Sequence, residues 1–171
     1  MSSVDPSELR FADHPTTESS IDIAATPAVV FALVQDISLP GRFSGEFQGA
    51  EWLDGATGPA LGARFVGRNE HPQVGQWETT STIVELEPDR LLAYAVGDPA
   101  NPAATWRFTL QPAGSGTRLT HWMQIGPGPS GITPVIASMP DKESRIIHHR
   151  LGEHRANMEA TLAGIKDLAE S

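Results

Sequence analysis

Cysteine is absent from all 171 residues. That excludes disulfides, thiolate nucleophiles and thiolate metal sites together. Positive charge is also scarce: 12 Lys and Arg against 21 Asp and Glu leave a net charge of −9. Such a chain is repelled by phosphate backbones and anionic lipid surfaces, which argues against a nucleic-acid partner. Long apolar runs are missing as well. Met1 to Pro15 carries Asp5, Glu8 and Asp13 without an apolar stretch, so it reads as neither a secretory signal nor a membrane span. The expectation is a cytoplasmic protein with no stable membrane insertion. No serine sits in a Gly-x-Ser-x-Gly elbow, and the Gly-rich run 126–131 lacks the lysine of a phosphate loop. Internal repeats, low-complexity runs and domain linkers are not seen either.

What is present is a chain cut into short pieces by 14 Pro and 16 Gly, a pattern of strands and turns that ends in one long helix. At this length one domain with one core is expected over residues 1–171, residues 1–15 forming a loosely held arm. From Asp141 to Ala169, the residues Ile147, Leu151, His154, Met158, Leu162, Ile165 and Ala169 recur three or four apart. They form one stripe of a helix about 40 Å long. Arg150, Glu153, Asn157, Lys166 and Asp167 fall largely on the other faces. Burial of the stripe, not surface charge, is expected to stabilise this helix.

Upstream, Thr17 to Ile23 alternates as a first strand. Thr26-Pro27 then supplies an N-cap and a first-turn proline for a short helix ending near Asp36. Leu39 to Phe43 allows at most one further turn. Strands follow at Phe47–Leu53 and Ala63–His71, the latter turning Phe65, Gly67 and Asn69 inward. In Trp77–Leu86 the residues Trp77, Thr79, Ser81 and Ile83 share one face and Val84 and Leu86 the other, a conflict that a bulge near Glu85 would reconcile. Leu92, Tyr94 and Val96 alternate in the next strand, and Trp106, Phe108 and Leu110 in the one after. The turn at 113–116 precedes Leu119, His121, Met123 and Ile125, the inward face of the last strand. Thr133-Pro134 repeats the helix-start signal. The outcome is an α+β arrangement in which a meandering antiparallel sheet of about seven strands, with short helices after the first, is covered by the C-terminal helix.

The segments Ala25–Phe31, Gly62–Asn69, Trp77, Glu87-Pro88, Trp106-Arg107-Phe108 and Gly116–Thr120, taken in order, resemble the START-like (SRPBCC) superfamily of polyketide cyclases, dehydrases and lipid-transport proteins, in an actinobacterial-type form. The resemblance covers roughly Ser19 to Ala169. It implies a helix-grip fold, in which the sheet curls around the long helix and leaves a hydrophobic cavity for apolar or amphipathic small molecules. The family includes lipid carriers, hormone receptors, aromatase/cyclases and ring-hydroxylating oxygenases. Fold alone does not choose among them.

Within that cavity Asn69 and His121 are the expected polar groups. They either satisfy each other, a backbone group or a water, or else orient a ligand's carbonyl or hydroxyl. Phe65, Trp77, Tyr94, Trp106, Phe108 and Met123 are expected wall residues, with His154 and Met158 facing them from the helix. By resemblance, Phe43 lies at one end of the cavity, and the 126–131 run reads as a hinge beside its mouth. His148, His149 and His154 do not have convincing ligand spacing and read as a polar helix face, so neither metal nor cofactor is expected. The oxygenase branch is excluded, because its iron–sulfur domain needs cysteines. The first functional expectation is binding or transport of a lipid- or polyketide-type molecule. A cyclase-like enzyme using His121 or Tyr94 for proton transfer is the alternative, and a protein-interaction module with a filled core is the third.

Overall fold

A computed structural model describes residues 8–171. Seven strands form one antiparallel sheet in the order β1-β7-β6-β5-β4-β3-β2. They are β1 (Thr16–Ile23), β2 (Phe47–Trp52), β3 (Arg64–His71), β4 (Gly75–Glu87), β5 (Leu91–Val96), β6 (Ala104–Ala113) and β7 (Gly116–Ile125). From β2 to β7 the chain meanders, and β1 closes the other edge by pairing with β7. Among the described residues there are three α-helices: α1 (Pro27–Val34), α2 (Thr133–Ser138) and α3 (Glu143–Glu170). The sheet curls around α3, so the chain has the α+β helix-grip architecture expected above. No helix among the described residues is long and apolar enough to cross a membrane.

Local chemistry accounts for most of these boundaries. Thr26 caps α1 by accepting from the Val29 amide, and Pro27 occupies the first helical position, an arrangement worth about 1 kcal/mol relative to an uncapped start. Leu39 to Arg42 forms a single 3-10 turn. The pairing of β4 with β5 shifts register between Ile83 and Glu85. That irregularity leaves Val84 exposed and Ile83 buried, and it resolves the conflict in the strand's apolar pattern. At α2 the expectation needs correcting. Thr133 is the first residue inside the helix, not its cap, and its Oγ1 accepts from the Ser130 amide in the preceding loop.

The stripe on α3 is buried at Ile147, Leu151, Met158, Leu162 and Ile165, each such side chain contributing about 1.5–3 kcal/mol of apolar burial. Arg155 and Glu159 form only an exposed pair at 3.3 Å, worth a few tenths of a kcal/mol, or ~0.3–0.5. The stripe joins two apolar clusters. Leu162 and Ile165 pack with Val30, Phe31, Phe65 and Leu92, whereas Ile147, Leu151 and Met158 pack with Met123 and Ile125. Part of the expected arm is held down at the second cluster. Leu9 and Phe11 pack there, and Ser144 Oγ donates to the Leu9 carbonyl at 2.6 Å. Residues 1–7 of that arm lie outside the described residues.

Two glycines of α3 separate packing from propensity. A Cβ on Gly164 would come within 2.5 Å of the Phe43 ring, whereas one on Gly152 would meet nothing within 4 Å. Gly152→Ala is expected to stabilise the protein by up to about 1 kcal/mol, the ordinary helix gain. Gly164→Ala is expected to destabilise it by about 1–2 kcal/mol, because the clash outweighs that gain. Urea denaturation of the two variants reads both signs.

A cavity between sheet and helix as the candidate ligand site

Strands β2 to β7 meet α3 around a cavity of about 100 Å³. Its walls draw on both apolar clusters, with Phe65 and Tyr94 on one side and Trp106 and Met158 on the other. The antiparallel register explains which side chains converge. Phe108 lies directly opposite His121, and Trp106 lies opposite both Tyr94 and Met123. The rings of Phe108 and His121 stack 3.9 Å apart at 11°. Trp106 stands 5.3 Å from His121 and meets His154 edge-on at 5.1 Å and 87°. On the other wall Tyr94 meets Phe65 edge-on at 5.1 Å, and Phe65 in turn meets Trp52 at 5.7 Å.

His121 is the chemically distinctive member. It is 5 % exposed, and neither Nδ1 nor Nε2 has a hydrogen-bond partner among the described residues. Burial pushes its pKa from 6.5 down to about 3, so the ring is neutral at physiological pH. His154 is also brought down to about 3, first by burial and then by the positive field of Arg150 and the proximity of His121. Burial pushes the Tyr94 hydroxyl upward, which keeps it protonated. The site therefore presents neutral groups able to donate and accept hydrogen bonds beside the apolar walls of Phe47, Phe65, Val96, Trp106 and Met158.

Seven of the expected lining residues border the cavity: Phe65, Asn69, Tyr94, Trp106, His121, His154 and Met158. Four do not. Phe108 is buried behind the stacked His121 ring, and Met123 is packed in the second cluster. Phe43 is packed against Gly164, where it fills space. Trp77 pairs opposite Asn69 near the far end of β3 and β4, and remains half-buried outside the lining. The 126–131 run contributes nothing to the lining either. Its Gly126 sits against the Phe11 ring and its Gly128 against the Asn101 carbonyl. Of the helix histidines, His148 and His149 are exposed, but His154 faces inward.

Sequence reasoning missed several lining residues. Thr79 and Ser81 lie on the inward face of β4, yet nothing in their small polar side chains distinguishes a cavity wall from ordinary strand composition. Asn157 and Thr161 flank Met158 on α3 and line the cavity too. Asn157 also accepts the Gly45 amide through Oδ1 at 2.9 Å, which ties the connection before β2 to the helix. An apolar-stripe criterion passes over polar positions of this kind.

Beside Asn157 lies a partly buried ionic clasp. Arg150 donates two bonds to Glu46, at 2.6 and 2.7 Å, and a third to Glu153 at 3.3 Å. Glu153 also accepts from His71 Nε2 at 2.7 Å. The clasp joins the start of β2 and the end of β3 to α3, and Glu46 borders the cavity. Arg150 and Glu153 lie off the buried stripe, as expected, and these bonds leave both side chains only partly exposed. Burial disfavours the Arg150 charge, but the bonds and field of Glu46 and Glu153 outweigh it and hold the guanidinium pKa above its ordinary value. Burial also acts to raise the Glu153 carboxyl, and His71 and Arg150 together hold it below the usual carboxylate value. Among the described residues, no three His, Asp or Glu side chains are disposed to hold a metal ion.

The sequence model of the polyketide cyclase/dehydrase and lipid transport family matches residues 14–151. A polyketide cyclase-like protein of Corynebacterium glutamicum is 33% identical, with 90% of each chain covered and a TM-score of 0.61. The di-domain ARO/CYC protein BexL, from the BE-7585A biosynthetic pathway, is 18% identical over 92% of this chain and 50% of its own, with a TM-score of 0.66. StfQ, the di-domain ARO/CYC protein of the steffimycin pathway, is 15% identical over 91% of this chain and 50% of its own, with a TM-score of 0.67. No curated protein matches the chain. The family match across most of the chain, together with the helix-grip fold and its inward cavity, establishes that this chain belongs to the polyketide cyclase/dehydrase and lipid-transport family.

Proposed function

We propose that the cavity binds a compact apolar or amphipathic molecule, such as a cyclic polyketide-type compound or the ring portion of a larger one, and that the protein acts as a binder or carrier. The observation that carries this reading is the His121 ring, buried in the cavity wall with both nitrogens unpartnered among the described residues. A buried polar group without a partner costs about 1–3 kcal/mol, and a ligand carbonyl or hydroxyl would recover much of it. Tyr94 and Asn69 border the same space and would complete the polar contacts. The scale of the cavity sets the size. About 100 Å³ is below the roughly 150 Å³ that admits a benzene-sized guest. It is also well below the roughly 300 Å³ at which ordinary ligand pockets begin. A single ring would therefore require the walls to yield, and a full acyl chain would require the clasp at Arg150 to open as well.

The cyclase-like alternative draws on the shared fold of the ARO/CYC proteins. Against it stands the low basicity of His121, since a general base works best with a pKa near the operating pH and this one is depressed to about 3. A protein-interaction module would have a filled core, and the cavity speaks against that. The reading treats residues 1–171 as one cytoplasmic START-like domain whose partner is a small molecule. The mass of the freshly purified protein under gentle ionisation tests it. A stoichiometric small-molecule adduct is the expected result, and a bare mass that stays unchanged after soaking in ring-sized amphipathic probes would overturn it.

A further inference from the structure

We infer that this cavity accepts only an uncharged, hydrogen-bonding ligand and rejects carboxylates and phosphates, an inference that rests on the cavity being a binding site at all. No Arg or Lys borders the cavity. The chain has only two lysines, Lys142 and Lys166. Lys166 is held by Glu170 and the Asp22 carbonyl, and Lys142 precedes the first turn of α3. The cation beside the cavity is Arg150, and its guanidinium is already bound in fork-to-fork fashion by Glu46 and again by Glu153. A ligand anion would thus lose its hydration without gaining a free positive partner, and it would lie near the Glu46 carboxylate on the cavity wall.

A ligand cation fares little better, because Arg150 already balances the Glu46 charge and binds both of its carboxylate oxygens. What the wall does offer is neutral. Both nitrogens of His121 are unpartnered, and among the described residues the Tyr94 hydroxyl has no hydrogen bond to protein. Together they can donate to a carbonyl or phenol oxygen and accept from a hydroxyl. This chemistry separates a ketone, phenol or alcohol from a fatty acid or a phosphorylated headgroup. Charge and hydrogen-bonding capacity, not shape alone, would set the specificity.

Three ring-sized probes at pH 7 separate the possibilities: phenol, benzoate and toluene, each titrated into the full chain and followed by amide and Trp106 indole chemical shifts. Phenol is expected to bind at least tenfold more tightly than benzoate and severalfold more tightly than toluene. In His121→Leu the advantage over toluene is expected to disappear, with the variant's amide spectrum showing that it remains folded. Benzoate binding as tightly as phenol would overturn the charge inference while leaving the binding cavity intact. Toluene matching phenol in the unaltered protein would overturn the hydrogen-bonding part. Silence from all three probes would instead remove the binding reading on which the inference stands.

Discussion

His121→Leu is expected to make the protein more stable and less able to bind. Leucine is close to histidine in size and carries no polar atom. The substitution therefore removes two buried nitrogens that have no hydrogen-bond partner, a cost of about 1–3 kcal/mol in the native state. It also removes the ring stacked on Phe108, a loss of about 0.5–1.5 kcal/mol. The balance is a gain near 1 kcal/mol, which for a domain of this size is a rise of about 2–4 °C in melting temperature. Ligand affinity should move the other way. Losing one neutral hydrogen bond weakens binding by about 1 kcal/mol, roughly fivefold, and more if both nitrogens are engaged. Thermal unfolding and titration on the same variant read the two signs. A fall of several degrees in melting temperature would instead mean that the ring is a structural element of the wall. A destabilising group kept in a cavity is the pattern expected where function opposes stability.

Acid is expected to destabilise the native state well before the carboxylates titrate. His121 has a folded pKa of about 3, against about 6.5 in the unfolded chain. Between those values the unfolded chain binds a proton that the native one excludes, so stability rises with pH through the window and falls as pH drops. The contribution is complete above about pH 6.5 and is lost progressively toward pH 3, at about 1.4 kcal/mol per pH unit. His154 acts in the same direction, with Arg150 and His121 adding to burial as causes. Glu153, held below its usual carboxylate value, adds its own loss only at lower pH. Urea midpoints from pH 7 to 5 should therefore fall steeply in the natural protein and less steeply in His121→Leu. Equal slopes would show that His121 does not carry the linkage. A loss of about 2 kcal/mol from His121 alone by pH 5 is large beside the usual 5–15 kcal/mol of a folded domain.

How much of this was legible in the residues depended on how local the signal is. Alternation in β3 and β7 turned Phe65, Asn69, Leu119, His121 and Met123 to the correct face, because a period of two with strong apolar contrast leaves one choice of phase. In β4 the apolar signal changed faces between Ile83 and Leu86, and the bulge implied by that change is present. The α2 start was misread because Thr-Pro fits two adjacent positions, and the Thr133 hydroxyl serves the preceding loop instead. The 126–131 run resembled a hinge by composition, but composition does not reveal that Phe11 and the Asn101 carbonyl sit against it.

The sequence by itself determined the order of elements, the inward face of most strands and the buried stripe of α3, since each follows from periodicity among near neighbours and the burial it permits. Only the tertiary structure decided which inward residues border space and which fill it. Phe108, Met123 and Phe43 fill it, whereas Thr79, Ser81, Asn157 and Thr161 border it. Whether a void remains depends on the summed volumes of side chains brought together from six strands and a helix. The charge of the site was decided in the same way. Glu46 and Arg150 are 104 residues apart, so no local pattern in the chain could show that the cation beside the cavity is already bound.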